Sequence, residues 1–269
     1  SFGEYLQKVS LGGLLTLLAL TAMLPWLMRD IWNLKRELPA AVPTPGITRP
    51  FFAAEALLVL AVMVLLFLFG GDIPTTIAPP AVAIVAAALG LLVVQAAKVE
   101  AVGDLLKRVD WKTLLFLLLL FALVEAFNKT GILQSFSNQL YEVFGTQTLI
   151  VALVMLVGVG LASTLLANIP VVAAMLFVAK SYLIIAEIVP EQALDPTFTS
   201  WPVATLPIFV AMMFGGTLGG NATLIGASAN VVSVGICATE GRPVTFVGFM
   251  RYGVPVVIVQ LSVSALYVL

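Results

Sequence analysis

The chain has 269 residues, of which 61 % are hydrophobic and only 10 % charged, with a mean hydropathy of +1.12. Average soluble domains carry about 25 % charged residues, so this composition leaves too little polar surface for water and reads as a polytopic membrane protein. A net charge of −1 without a basic run argues against nucleic acid, and one cysteine with no histidine argues against a disulfide framework, Cys or His metal clusters and histidine acid–base chemistry.

In chain order, residues 1–9 are polar and aromatic, and 10–28 is an apolar run of spanning length. Residues 29–50 form a polar connector with Arg29, Lys35, Arg36 and Arg49, punctuated by prolines. A second span covers 51–70, and about 20 residues at 1.5 Å rise reach about 30 Å. Thr76 reads as an N-cap for a third span, in which Pro79 and Pro80 sit harmlessly in a first turn whose N–H groups are unpaired anyway. Residues 98–112 form a second charged loop. A fourth span covers 111–127 and stops near Gly131. Within 132–144, Ile132, Phe136, Leu140 and Phe144 share one helical face, which predicts an interfacial helix rather than a spanning one.

Residues 146–188 are too long and too interrupted for one span. Their middle, STLLANIP (163–170), is polar but uncharged, which favours a re-entrant hairpin with its tip inside the membrane over two full spans joined by a tight turn. An acidic loop, 187–200, follows and is read as exterior, with Ser200 a candidate cap. Residues 201–238 then read as a broken transmembrane helix, and 246–269 as the last span.

The break carries the argument about function. The stretch MFGGTLGGNATLIGASAN (213–230) holds Gly215, Gly216, Gly219 and Gly220, then Asn221, Thr223, Ser228 and Asn230. Glycine costs about 1 kcal/mol per residue in a helix relative to alanine, so the helix is expected to open here. An opened backbone at membrane depth is tolerated only where it is buried in protein or lines a wet cavity, and broken helices of this kind hold ions and substrates in secondary transporters. The alternative is a close helix-packing seam of small residues. It accounts for the glycines but not for the Asn and Thr beside them.

The two basic loops, 29–50 and 98–112, are separated by two spans and so face the same side. The positive-inside rule makes that side the cytoplasm, in an integral protein of a bacterial inner membrane. The start of the chain, SFGEYLQKVSLGGLLTLLAL, is echoed by TFVGFMRYGVPVVIVQLSV at the last span, with opposite orientation. Opposed copies are the mark of an inverted-repeat transporter. Residues 1–28 then read as the final helix of a first repeat, 51–127 as scaffold-type spans, and 128–269 as a transport-type region. On this reading the chain is part of a longer one, and its partner is the missing N-terminal repeat.

The segments VDWKTLLFLLLLFALVEAFNKTGIL (109–133), STLLANIPVVAAM (163–175), GGNATLIGASANVV (219–232) and TFVGFMRYGVP (245–255) resemble, in order, the ion transporter superfamily. The resemblance is to its arsenite-permease and sodium/proton-antiporter branch, near the pink-eyed dilution protein. It implies an all-α membrane fold with two inverted repeats, each with a hairpin and a broken helix at a central site. It also implies ion-coupled transport, commonly in a homodimer. The family's tip pattern, Ser-x-x-x-Asp-Asn-x-Pro, falls on Ser163, Ala167, Asn168 and Pro170, with alanine where many members have aspartate. A buried carboxylate is a natural proton or sodium carrier, so its replacement weakens the case for sodium–proton exchange.

The candidate binding residues are therefore Ser163, Thr164, Asn168, Pro170, Gly219, Gly220, Asn221, Thr223, Ser228 and Asn230, with a sodium ion expected at Asn168, Asn221 and Thr223. Half-helix N-termini after Pro170 and after Thr223 could face an anion. For the Ser and Thr hydroxyls the alternative is bonding to their own helix carbonyls. Glu125 and Lys129 are read as an i,i+4 ion pair rather than a proton relay. No cofactor is expected beyond a coupling proton or sodium, and no enzyme constellation is present. The expected function is ion-coupled secondary transport of a small inorganic oxyanion or hydroxide such as arsenite. The alternatives are a sodium/proton antiporter, a sodium-coupled dicarboxylate or anion symporter, and a non-transporting subunit with a transporter-derived fold.

Overall fold

The computed structural model describes residues 2–33, 46–70, 77–195 and 198–269. Thr76 and most of the 29–50 connector lie outside the described residues. The chain is all-α. In order the helices are α1 (Phe2–Leu27), α2 (Arg29–Trp32), α3 (Pro50–Phe69), α4 (Pro79–Ala96), α5 (Val102–Lys107) and α6 (Trp111–Lys129), then α7 (Ile132–Phe144), α8 (Thr148–Ser163), α9 (Asn168–Ile185), α10 (Leu206–Gly219), α11 (Ser228–Thr239) and α12 (Phe246–Val268). Six described helices are long and apolar enough to cross a membrane, or up to seven crossings if the bent pair α6–α7 counts as one. This is a multi-span integral membrane protein.

The chain divides into two compact units, one of residues 1–11 and 33–111, the other of residues 12–32 and 112–269. In the first, α3 and α4 pack on each other, each opened by proline in its first turn. α3 buries none of its residues and α4 only Val82 and Ala86. Side chains such as Phe51, Leu57 and Ile84 are left exposed, a surface suited to acyl chains.

In the second unit, α6 and α7 meet at 61°. The bend is at Gly131, whose φ of +76° is the left-handed conformation that glycine adopts without a Cβ penalty. α7 turns Leu133, Ser137 and Leu140 inward, and the Ser137 hydroxyl lies 3.2 Å from the Val178 carbonyl of α9. On the stripe read as interfacial, Ile132 and Phe136 are exposed. α7 has two apolar stripes, and the one carrying the small Ser137 is the one that can approach α9 closely.

The core lies where α8 packs on α10 and both meet α9. Val151, Ala152, Met155, Leu156 and Val159 of α8 are buried with Ile208, Ala211 and Phe214 of α10. The entry to α10 is pinned by Trp201, whose ring meets Phe198 and Phe209 edge-on at 5.0 and 5.1 Å, with the Lys180 ammonium of α9 5.5 Å from its centroid. Ser200 does not cap this helix. A 3₁₀ turn, Val203–Thr205, precedes it, and the Thr205 hydroxyl bonds to the Pro202 carbonyl.

The glycines do not open the helix where expected. α10 runs unbroken through Gly215 and Gly216 to Gly219. A Cβ on Gly215 would stand 2.6 Å from the Leu156 carbonyl oxygen, and one on Gly219 would collide with the Gly160 backbone. These glycines are the packing seam that brings α10 against α8. The interruption comes after them, as a 3₁₀ turn at Gly220–Ala222 and irregular backbone over 223–227. α11 starts at Ser228, after Thr223 as expected, whereas α9 starts at Asn168, before Pro170 rather than after it.

Candidate functional site

The site is built from two interrupted backbones. In the turn between α8 and α9, Ser163 ends one helix, Asn168 begins the next, and Pro170 sits in the first turn, where a missing N–H costs nothing. Ser163 is fully buried; its hydroxyl is 2.7 Å from the Gly216 carbonyl of α10 and in hydrogen-bond contact with Asn168 Oδ1. Asn168 Oδ1 in turn lies 2.9 Å from where a Cβ on Gly220 would stand, so the tip is seated on the start of the break.

Thr223 joins the two interruptions. It is buried, its hydroxyl donates to the Thr164 carbonyl in the tip, and the same oxygen accepts from the Gly226 N–H at 3.1 Å. Asn230, in the first turn of α11, reaches back across the break and donates both N–H groups, to the Gly220 carbonyl at 3.1 Å and the Thr223 carbonyl at 3.0 Å. Its nitrogen is thereby committed and its Oδ1 faces elsewhere. Nearly every backbone carbonyl freed by an interruption costs free energy at membrane depth unless it finds a partner, and these side chains supply several.

Asn221 points toward α12, donating from Nδ2 to Gln260 Oε1 at 3.2 Å. Gln260 is only 5 % exposed and was not among the residues singled out in the sequence. The available signal was a lone glutamine within the apolar 246–268 run, since polar groups inside spans mark functional sites by default.

The structure thus gathers Ser163, Thr164, Asn168, Pro170, Gly220, Asn221, Thr223 and Asn230 at the meeting of tip and break. Gly219 belongs to the packing seam one residue earlier. Ser228 is exposed. Of the three residues expected around sodium, Thr223 has its hydroxyl engaged on both sides and its carbonyl held by Asn230. Among the described residues no three His, Cys, Asp or Glu side chains gather as a metal cluster. Glu125 and Lys129 form an exposed i,i+4 pair at 3.8 Å.

Beside the break lies a cavity of about 780 Å³. Asn221 and Asn230 contribute its amide groups, Thr245 and Tyr252 its hydroxyls, and Leu24 and Phe249 are typical of its apolar wall. Among the described residues no Lys, Arg, Asp or Glu lines it.

The sequence profile of the citrate transporter family matches residues 1–204. The chain belongs to the citrate transporter family. The match takes in the whole hairpin of this citrate-transporter-family chain, while the break lies beyond it and is covered by individual relatives. An uncharacterized transporter of Synechocystis sp. is 38 % identical over 269 residues, all of this chain and 60 % of the relative. The P protein of Homo sapiens is 34 % identical over 221 residues, 80 % of this chain and 25 % of that protein. A 46 kDa membrane protein of Mycobacterium leprae is 29 % identical over 270 residues, 99 % of this chain and 59 % of the relative. The chain therefore spans about 60 % of the length of the first of these bacterial relatives. Homology to the P proteins agrees with the branch suggested by the GGNATLIGASANVV motif. No solved structure matches the chain.

Proposed function

We propose that this chain forms part of an ion-coupled secondary transporter whose solute is a small inorganic hydroxide or oxyanion such as arsenite. The observation that carries the reading is the uncharged cavity ending on Asn221 and Asn230 at a helix break. With both N–H groups of Asn230 given to backbone carbonyls, the atom it can offer a ligand is an oxygen. Amide oxygens accept from O–H donors and hold cations, and they have nothing to neutralise a bare polyanion. A neutral hydroxide such as protonated arsenite brings several O–H donors. The same oxygens, with carbonyls of the break, suit a coupling sodium ion; a proton is the other candidate, although Ala167 leaves the tip without a carboxylate.

The family's description favours a second reading, in which the solute is a citrate-like carboxylate and sodium is the coupling ion, as in the symporter alternative. On that reading the cation that balances the carboxylate comes from elsewhere in the full protein. In either case the tip is taken as re-entrant and the cavity as opening toward the 240–245 loop, which the charge rule puts in the cytoplasm. The opposed first repeat is placed elsewhere in the full-length protein, and the assembly is a homodimer.

The test uses everted vesicles carrying the full-length protein, following lumenal pH and accumulated solute during challenge with arsenite, sodium and citrate in turn. Arsenite accumulation that is lost in N221A supports the proposal. Citrate accumulation that requires sodium, with none of arsenite, replaces it with the second reading. A response to sodium alone moves the assignment to antiport, and silence to all three favours a non-transporting subunit.

A further inference from the structure

We infer that Gln260 is a positioning residue for solute or coupling-ion binding, holding the Asn221 carboxamide so that its oxygen faces the cavity. The inference rests on the proposed transport function and adds to it a residue outside both interruptions. α12 grips the break at two levels of one face. At Gly253 the helix backbone comes so close that a Cβ would stand 2.5 Å from the Asn221 carbonyl oxygen and 2.7 Å from that of Ala222. Two turns later, Gln260 Oε1 receives the Asn221 Nδ2 proton at 3.2 Å. Residues seven apart return to the same side of a helix, and Val257, between them, is also buried.

The carboxamide of Asn221 is planar, so fixing its nitrogen on α12 turns its oxygen away from α12. Among the described residues that oxygen has no partner, and no buried side-chain nitrogen or oxygen is left unpaired. The oxygen is therefore open, and the space that Asn221 borders is the cavity. Gln260 is itself held in place by burial, and its helix turn is tied by the Ser264 hydroxyl bonding to the Gln260 carbonyl at 2.8 Å. Without Gln260 the amide can rotate and present N–H instead of oxygen. The cavity would then lose one of its two amide acceptors while keeping its shape.

The experiment compares Q260L, which removes the acceptor, with Q260E, which keeps an oxygen at the same reach. Both are made in the full-length protein and reconstituted in proteoliposomes. Expected for Q260L is a half-saturation for solute or coupling ion raised about tenfold, with the maximal rate per folded molecule and the melting temperature near wild type. Q260E is expected to stay within about threefold of wild type. An unchanged half-saturation in Q260L overturns the inference. So does a Q260E protein that folds normally yet is as impaired as Q260L, or a loss in both that simply follows their melting temperatures. The purified proteins are also melted with and without arsenite and sodium, which reads binding without transport. Wild type that is stabilised by either ligand but transports neither overturns the transport reading alone, and the Q260L and Q260E comparison is then made on the ligand-induced shift. Wild type stabilised by neither overturns this inference.

Discussion

Replacing Gly219 by alanine tests whether the glycines are packing surface or hinge. At that position a Cβ meets the oxygen, α-carbon and carbonyl carbon of Gly160, all main-chain atoms of α8. No rotamer change can relieve such a contact, so α8 and α10 must separate along their closest line. Overpacking of this kind costs about 1–3 kcal/mol, occasionally more, and alanine's better helix propensity returns at most about 1 kcal/mol. The net expectation for G219A is a loss of up to about 2 kcal/mol, and more if the two backbones cannot separate. Gly158 of α8 is the control, because a Cβ there meets nothing within 4 Å. G158A should be neutral or more stable by up to about 1 kcal/mol. Equilibrium unfolding of the purified full-length protein in detergent measures both. If G219A is as stable as G158A, the seam argument fails and the glycines regain the role of a hinge.

Three further outcomes follow from the same geometry. T223V removes the hydroxyl that links the tip to the break, takes away the Thr164 carbonyl's donor, and leaves the Gly226 N–H only its longer bond, 3.4 Å, to the Thr223 carbonyl. At about 0.6–1.7 kcal/mol for a hydrogen bond within a membrane protein, the two should cost about 1–3 kcal/mol in unfolding free energy, and T223S should restore most of it. A167D adds a capping oxygen at the start of α9, where Ala167 makes no side-chain cap, and places a titratable carboxyl at the half-buried tip. Its transport rate should acquire a pH dependence, tracking ionisation of the new carboxyl, that the parent rate lacks, read in vesicles clamped at each pH. G131A forces a side chain into a φ of +76°, at about 1–2 kcal/mol, and should lower the melting temperature without shifting the half-saturation for solute.

Much of the helical layout could be read from the chain, because proline and glycine mark its ends plainly. Pro50 and Pro79 open α3 and α4, Gly131 separates α6 from α7, and STLLANIP separates α8 from α9. The reading went astray where propensity competed with packing. Gly215, Gly216 and Gly219 weaken an isolated helix, but against α8 they allow an approach that no other residue permits, and the packing keeps α10 whole. The apolar stripe of α7 at Ile132 and Phe136, read as interfacial, is exposed, and the buried stripe is the one containing Ser137, whose small size lets α9 approach. Gln260 went unremarked because its meaning depends on a partner 39 positions away.

The hydrogen bonds constrain how such a site could open. The hydroxyl of Thr223 ties the tip turn to the break, and the hydroxyl of Ser163 ties the end of α8 to Gly216 of α10. A tip that lifted alone would leave both carbonyl acceptors bare and separate Gly219 from Gly160. Each buried polar group left without a partner costs about 1–3 kcal/mol, before any lost packing is counted. Moving α8, α9, α10 and the break together breaks none of these contacts. If the chain transports by alternating access, the cheaper route is for tip and break to travel as one body, with the cavity on the side of Asn221 and Asn230 exposed or covered by that movement. The bond from Asn221 to Gln260 and the close approach at Gly253 then require α12 to travel with them.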